Sequence, residues 1–187
     1  MSRFTFVETQ IKDLFVIEPK QIRDERGYFE RYFCKEDFKE IGLTKEIVQI
    51  NHSLTTIKGS IRGLHFQTKP FSEIKIVRCI SGSIQDVAVD LRKDSKTFLK
   101  YFTITLSKAN NKYLYIPEGF AHGFLSLKNH TKVHYMQTNE YSKEHDCGIK
   151  YNSFGFDWEK IAKKYHIDEF IISNRDLSFD DKIEGYF

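Results

Sequence analysis

Between residues 47 and 141 the chain reads as short runs of alternating apolar and polar residues broken by turn residues. Successive side chains of a strand point to opposite faces, so such alternation marks half-buried strands. Strands are expected over residues 47–54, 60–67, 74–80, 84–91, 98–106, 113–116, 120–127 and 132–141. Lys58-Gly59, Ser81-Gly82-Ser83 and Pro117-Glu118-Gly119 supply the turns between them. Within 84–91, Val87, Val89 and Leu91 share one face, and Asp86, Ala88 and Asp90 share the other. Two more short strands are expected within residues 3–18, and an aromatic strand over 28–33 follows a turn at Arg23-Asp24-Glu25-Arg26-Gly27. Regularly spaced short strands with turn signals predict an all-β antiparallel sandwich or barrel.

The period changes near both ends. Residues 34–41 fit one short helix stopped by Gly42. Trp158, Ile161, Ala162 and Tyr165 fall at helical spacing behind Asp157, a natural N-cap. Residues 166–187 are mixed, so 157–187 is read as a helical and irregular tail wrapped on the body. With no internal repeat, low-complexity stretch or linker, residues 1–187 are read as one domain.

Composition narrows the function classes. The net charge of +3 is spread among mixed lysines and acids, so no basic stripe argues for nucleic acid. No apolar run reaches the roughly 18 residues of a membrane span. Three scattered cysteines, without a C-x-x-C, point to a reducing compartment, hence the cytoplasm, and to no disulfide framework. Most of the seventeen Phe and ten Tyr belong to the core, and such a supply also suits stacking on a sugar or base.

The densest chemistry lies in Arg62-Gly63-Leu64-His65-Phe66-Gln67. Strict alternation puts Gly63, His65 and Gln67 on one face and Arg62 and Leu64 on the other. For Arg62 to share a ligand with His65, the strand must twist or bulge, or the ligand must reach around its edge. Taken alone, His65 is a core histidine satisfied by a hydrogen bond, Lys75 a solvated lysine, Tyr135 a core tyrosine and Asp176 a surface carboxylate. Taken together they suit proton removal beside a ketone. His65 is a candidate base, Lys75 a candidate positive group where an enolate oxygen forms, and Tyr135 a candidate acid that returns a proton on the opposite face. Asp176 is a candidate carboxylate to fix the imidazole tautomer.

Gly63-x-His65-x-Gln67 and Pro117-x-Gly119-x-x-His122 resemble the two motifs of the cupin superfamily, small jelly-roll barrels with an internal site. Gln67 stands where metal-binding cupins place a second histidine, and Lys75 stands near the place of their acid. That set is poor for zinc or iron, so no metal is expected.

Three segments together carry a narrower resemblance: Arg62 to Gln67, Asp86-Val87-Ala88-Val89-Asp90-Leu91-Arg92, and Ile116-Pro117-Glu118-Gly119-Phe120-Ala121-His122-Gly123-Phe124. They resemble the dTDP-4-dehydrorhamnose 3,5-epimerase family, from about residue 17 to about residue 176. The resemblance implies a cupin-type jelly roll and a homodimer whose N-terminal strands cross to the partner. It also implies a nucleoside-diphosphate-sugar substrate and no cofactor. It implies inversion of carbons 3 and 5 of a dTDP-linked 4-keto-6-deoxyhexose, with His65 as base, Tyr135 as acid, Asp176 behind His65 and Lys75 near the keto oxygen. Arg26, Gln49, Asn51, Arg62 and His122 would fall on nucleotide or sugar contacts, with Tyr141, Asp146 and Arg175 beside them. Where the family has a nucleotide-binding glutamate this chain has Arg31, and Glu30 is the nearest acid. A single-carbon epimerase on another 4-keto sugar nucleotide and a non-catalytic sugar-binding cupin remain as alternatives.

Overall fold

The computed structural model describes residues 2–181 and 187. Its strands are β1 (Phe4–Glu8), β2 (Phe15–Pro19), β3 (Gln21–Asp24), β4 (Gly27–Glu30), β5 (Gln49–Thr55), β6 (Ser60–Gln67), β7 (Lys75–Ser81), β8 (Ser83–Asp90), β9 (Tyr101–Ser107), β10 (Tyr113–Ile116), β11 (Phe120–Ser126), β12 (Thr131–Gln137), β13 (Asp146–Gly148) and β14 (Ile171–Ile172). Helix α1 (Lys35–Phe38) follows β4, α2 (Trp158–Tyr165) follows β13, and α3 (Asn174–Leu177) follows β14.

Two sheets face each other. The first runs β1-β2-β10-β7-β12-β5, and the second runs β13-β6-β11-β8-β9, with β14 added in parallel to β6. The expected all-β sandwich is what the chain adopts. Alternation explains its layering. Val77, Cys79 and Val133 from the first sheet meet Ile84, Ala88, Phe120 and Phe124 from the second in an inner core. The opposite residues of β7 and β12, Ile76 and Met136, look outward onto α1 and the aromatic residues of β1. Val87, Val89 and Leu91 look outward from the second sheet onto α2, through Trp158, and the tail. Each large aliphatic side chain removed from water in these layers contributes about 1.5–3 kcal/mol before entropy is counted.

Several boundaries differ from expectation for local reasons. The strand expected over 28–33 ends at Glu30, because Tyr32 and Phe33 turn onto the outer face of the first sheet. The helix expected over 34–41 tightens into a 3-10 turn at Lys39–Ile41 and stops at Gly42, whose φ of 82° is left-handed. The strand expected from 98 begins at Tyr101, after Leu99 takes a positive φ. Helix α2 starts as expected, with the Asp157 carboxylate accepting from the Lys160 N–H at 2.9 Å. The tail holds β14 and α3, which lack enough residues to show a period. Residues 182–186 of the expected tail lie outside the described residues.

Hairpin β3–β4 pairs with neither sheet. Ile22, Tyr28 and Phe29 on it are exposed, Phe29 by 67%.

Candidate active site

Strand β6 builds one wall of a cavity of about 610 Å³ between the sheets. Its pairing with β11 sets His65 opposite His122 but Arg62 opposite Phe124, so β6 carries an extra residue between them. This is a β-bulge at Gly63-Leu64. Gly63 has φ of 111°, and a Cβ there would lie 2.7 Å from the His122 carbonyl oxygen, so only glycine fits. The bulge breaks strict alternation. Ile61, Leu64 and Phe66 pack into the outer core, while Arg62 and His65 both face the cavity. The side chain of Arg62 is braced on β5, donating from Nε to Thr55 Oγ1 at 3.0 Å and from Nη2 to the Leu54 carbonyl at 3.2 Å.

Asp176 arrives from the tail. Pairing of β14 with β6 sets Ile172 beside Ile61, and Ser173 then caps α3 by accepting the Asp176 N–H at 3.1 Å. This aims the Asp176 carboxylate back at β6. Oδ1 lies 2.8 Å from His65 Nε2, and Oδ2 accepts the Gly63 N–H at 3.0 Å. Burial raises the Asp176 carboxyl pKa, but the bonds from His65 and Gly63 outweigh it and hold the group below the usual carboxylate range. An ionised carboxylate only accepts, so the imidazole proton sits on Nε2 and the lone pair on Nδ1 is left free.

The facing wall comes from the first sheet. Tyr135 on β12 shares its O–H with Ser53 Oγ on β5 at 3.0 Å. Burial pushes the phenol pKa well up, opposed by the Ser53 bond, so Tyr135 holds its proton across the neutral range. Gln137, two residues along the same strand face, accepts through Oε1 from Asn51 Nδ2 at 2.9 Å and Gln49 Nε2 at 3.2 Å. Lys75 pairs with Gln137 in the β7–β12 register and reaches the same cavity. A second His–Asp pair lies deeper: His122 Nε2 is 2.8 Å from Asp86 Oδ1, and the His122 ring meets Tyr135 edge-on at 6.5 Å.

At the rim, Tyr141 donates its O–H to Asp146 Oδ2 at 2.9 Å, and Arg175 Nη2 donates to the same oxygen at 2.6 Å. Arg175 lines the cavity; Tyr141 and Asp146 stand behind it. Arg62, Lys75 and Arg175 thus bring three cations to one cavity, a fit for an anionic diphosphate.

Five of the expected substrate contacts do not line this cavity within the chain: Gln49, which bonds Gln137, Tyr141 and Asp146 at the rim, and Glu30 and Arg26. Glu30 is sealed in an ion pair with Arg78, whose guanidinium also bonds Tyr113 Oη and stacks over the Tyr32 and Tyr113 rings. Glu30 therefore fastens the base of the hairpin rather than a ligand. Arg26 sits at the hairpin turn, its side chain 82% exposed and, among the described residues, paired only with Asp24. Gln67, expected beside His65, does not line the cavity; it is buried and braces the loops around residues 71 and 140. Glu73 and Gln137 escaped the sequence reading. Gln137 has the signal that could have found it, its two-residue spacing from Tyr135.

Comparison with known proteins decides the family. The family model described as dTDP-4-dehydrorhamnose 3,5-epimerase matches residues 8–181. The chain belongs to this family. A dTDP-4-dehydrorhamnose 3,5-epimerase from Shigella flexneri is 44% identical over 92% of this chain and 92% of its own. The crystal structure of the Elizabethkingia anophelis enzyme of that name superposes with a TM-score of 0.87 at 38% identity, covering 95% of this chain and 96% of that one. A Legionella pneumophila relative, solved in complex with dTDP-4-keto-L-rhamnose, gives a TM-score of 0.83 at 33% identity over 94% of this chain and 91% of that one. The two-sheet sandwich is accordingly the cupin-type jelly roll expected from the motifs.

Proposed function

We infer that this protein is an isomerase that inverts carbons 3 and 5 of a dTDP-linked 4-keto-6-deoxyhexose. The observation that carries the reading is the His65–Asp176 pair facing Tyr135 across the cavity, with Lys75 on the Tyr135 side. His65 Nδ1 takes the proton from a carbon beside the ketone. The C–H electrons move into the C–C bond and the carbonyl electrons onto oxygen, giving an enolate beside the Lys75 ammonium. The Tyr135 phenol then protonates the same carbon from the other side. The tyrosinate and imidazolium return to their starting states by exchange with water. The diphosphate lies on Arg62 and Arg175.

The active form is a homodimer in which hairpin β3–β4 carries Arg26 to the site of a second copy. Support comes from the exposed apolar residues of the hairpin and from Val48, Ile50 and Leu54, exposed on the edge strand β5 and beside it. Free Cys34, Cys79 and Cys147 fit a cytoplasmic site of action, and no helix among the described residues is long and apolar enough to cross a membrane.

The test is incubation with dTDP-4-keto-6-deoxyglucose in deuterated water. Label at carbons 3 and 5 supports double inversion, label at one supports a narrower epimerase, and no label overturns the reading. The dimer is tested by sedimentation and by mixing Arg26→Ala with His65→Asn chains. Recovery of activity on mixing places Arg26 and His65 of one site on different chains, and no recovery contradicts the crossing.

A further inference from the structure

Lys75 stands where negative charge forms, and its N–H bonds can be counted. An ammonium has three donors and no acceptor. One is directed at Glu73 Oε1, 3.0 Å away, and one at the backbone carbonyl of His65, at 3.2 Å. The third is left for the cavity, which Lys75 lines.

Glu73 is itself held. Its side chain is 2% exposed, and its second oxygen accepts from Gln67 Nε2 at 2.8 Å. Gln67 also accepts the Ser142 N–H through Oε1 at 2.6 Å. Gln67 lies two residues from His65 on β6. The carboxylate that aims Lys75 is therefore anchored to the strand that carries the base. A buried carboxylate is costly unless every oxygen is paired, and both oxygens of Glu73 are.

We propose that Glu73 is the positioning residue of the oxyanion site. It does not touch the sugar. It holds Lys75 Nζ against the His65 backbone, so that the donor and the base address the oxygen and the neighbouring carbon of one ketone. A lysine held between two acceptors presents an N–H bond, not a lone pair, and so stabilises an enolate rather than attacking the ketone carbon. The proposal rests on the epimerase reading above.

The experiment measures deuterium incorporation into dTDP-4-keto-6-deoxyglucose by wild type, Glu73→Gln, Lys75→Gln and the double variant. An amide has one acceptor oxygen, while Lys75 and Gln67 both donate to residue 73, so Glu73→Gln sets an NH2 group against one of these two donors. The expected result is a fall in kcat of about tenfold to a hundredfold, as when the support of a catalytic group is removed, with KM and dTDP affinity kept within about twofold. In the Lys75→Gln background Glu73→Gln is expected to have no further effect, because it acts through Lys75. A rise in KM at unchanged kcat, a loss that persists undiminished in the Lys75→Gln background, or wild-type kinetics overturns the proposal. If Glu73→Gln fails to fold, Glu73→Asp keeps the charge on a shorter arm. A lowered kcat at unchanged KM then supports the role, and wild-type kcat overturns it. Absence of exchange by wild type contradicts this proposal and the epimerase reading together, whereas normal wild-type exchange with unaffected Glu73 variants removes this one alone.

Discussion

Two His–Asp pairs stand side by side on paired strands, with His65 directly opposite His122 and the same 2.8 Å separation in each pair. Their surroundings differ. The His65 side chain is 30% exposed to the cavity, and both Asp176 oxygens are bonded. The His122 side chain is 6% exposed, Asp86 is fully buried, and Asp86 Oδ2 has no partner among the described residues. Burial drives the Asp86 pKa up, against the bond from His122, while the bonds on Asp176 drive its pKa down. One pair keeps an ionised carboxylate behind an accessible imidazole, as a base needs. The other is sealed and suits a fixed contact in the cavity floor. Identical residue types at identical distance thus sit in different environments, because a second donor, the Gly63 N–H, reaches Asp176 while Asp86 Oδ2 has none among the described residues.

Substitutions in the two pairs sharpen this contrast. The largest effect is expected for His65→Asn, a loss of exchange of about 10²–10⁴-fold, the share of a general base. His122→Asn is expected to act mainly on KM, and a loss of exchange as deep as that of His65→Asn would erase the distinction. Asp176→Asn is expected to lower kcat by about 10–100-fold, since one amide oxygen cannot serve both His65 and the Gly63 N–H. Asp86→Asn is nearly isosteric and removes a carboxylate that burial disfavours, and should cost less than about threefold. Equal losses in the two Asn variants would break the comparison.

Tyr135→Phe should separate the steps: deuterium loss and gain at the carbon retained from the His65 side, with inversion reduced by about 10²–10³-fold. Loss of both together would place the acid elsewhere.

The smallest effects are on stability, and their signs are opposite. Asp176 has a folded pKa below 3.8, so its contribution is present above that pH and lost as pH falls through the folded value. Asp86 has a folded pKa above 3.8, so it favours the fold in acid and opposes it as pH rises through the window above 3.8. Denaturant titrations should therefore show Asp176→Asn less stable than wild type at pH 7 and Asp86→Asn unchanged or more stable. Both differences should fade in strong acid. The same sign for both variants at pH 7 would contradict the assigned environments.

Much of this was legible in the sequence, and the reasons are physical. Strand β6 matches its expected bounds, with the Lys58-Gly59 turn fixing its start, although alternation breaks inside it at the bulge. The Asp157 cap and the helical spacing of Trp158, Ile161, Ala162 and Tyr165 fix α2. The bulge that turns Arg62 inward was a requirement without a location, because a glycine in a strand marks a close approach and does not say which strand approaches. The Asp176 contact spans 111 residues and depends on a two-residue strand and a four-residue helix, too short for any periodicity. Glu30 misled because its neighbour in space, Arg78, lies 48 positions along the chain. Glu73 escaped because a single acid ahead of a strand looks solvated until the fold closes over it.

The most direct test of the central claim is proton NMR of dTDP-4-keto-6-deoxyglucose in deuterated water with wild type and His65→Asn, each checked for folding by circular dichroism. The account predicts deuterium at carbons 3 and 5 with wild type and none with His65→Asn. Exchange by a folded His65→Asn at the wild-type rate would contradict it.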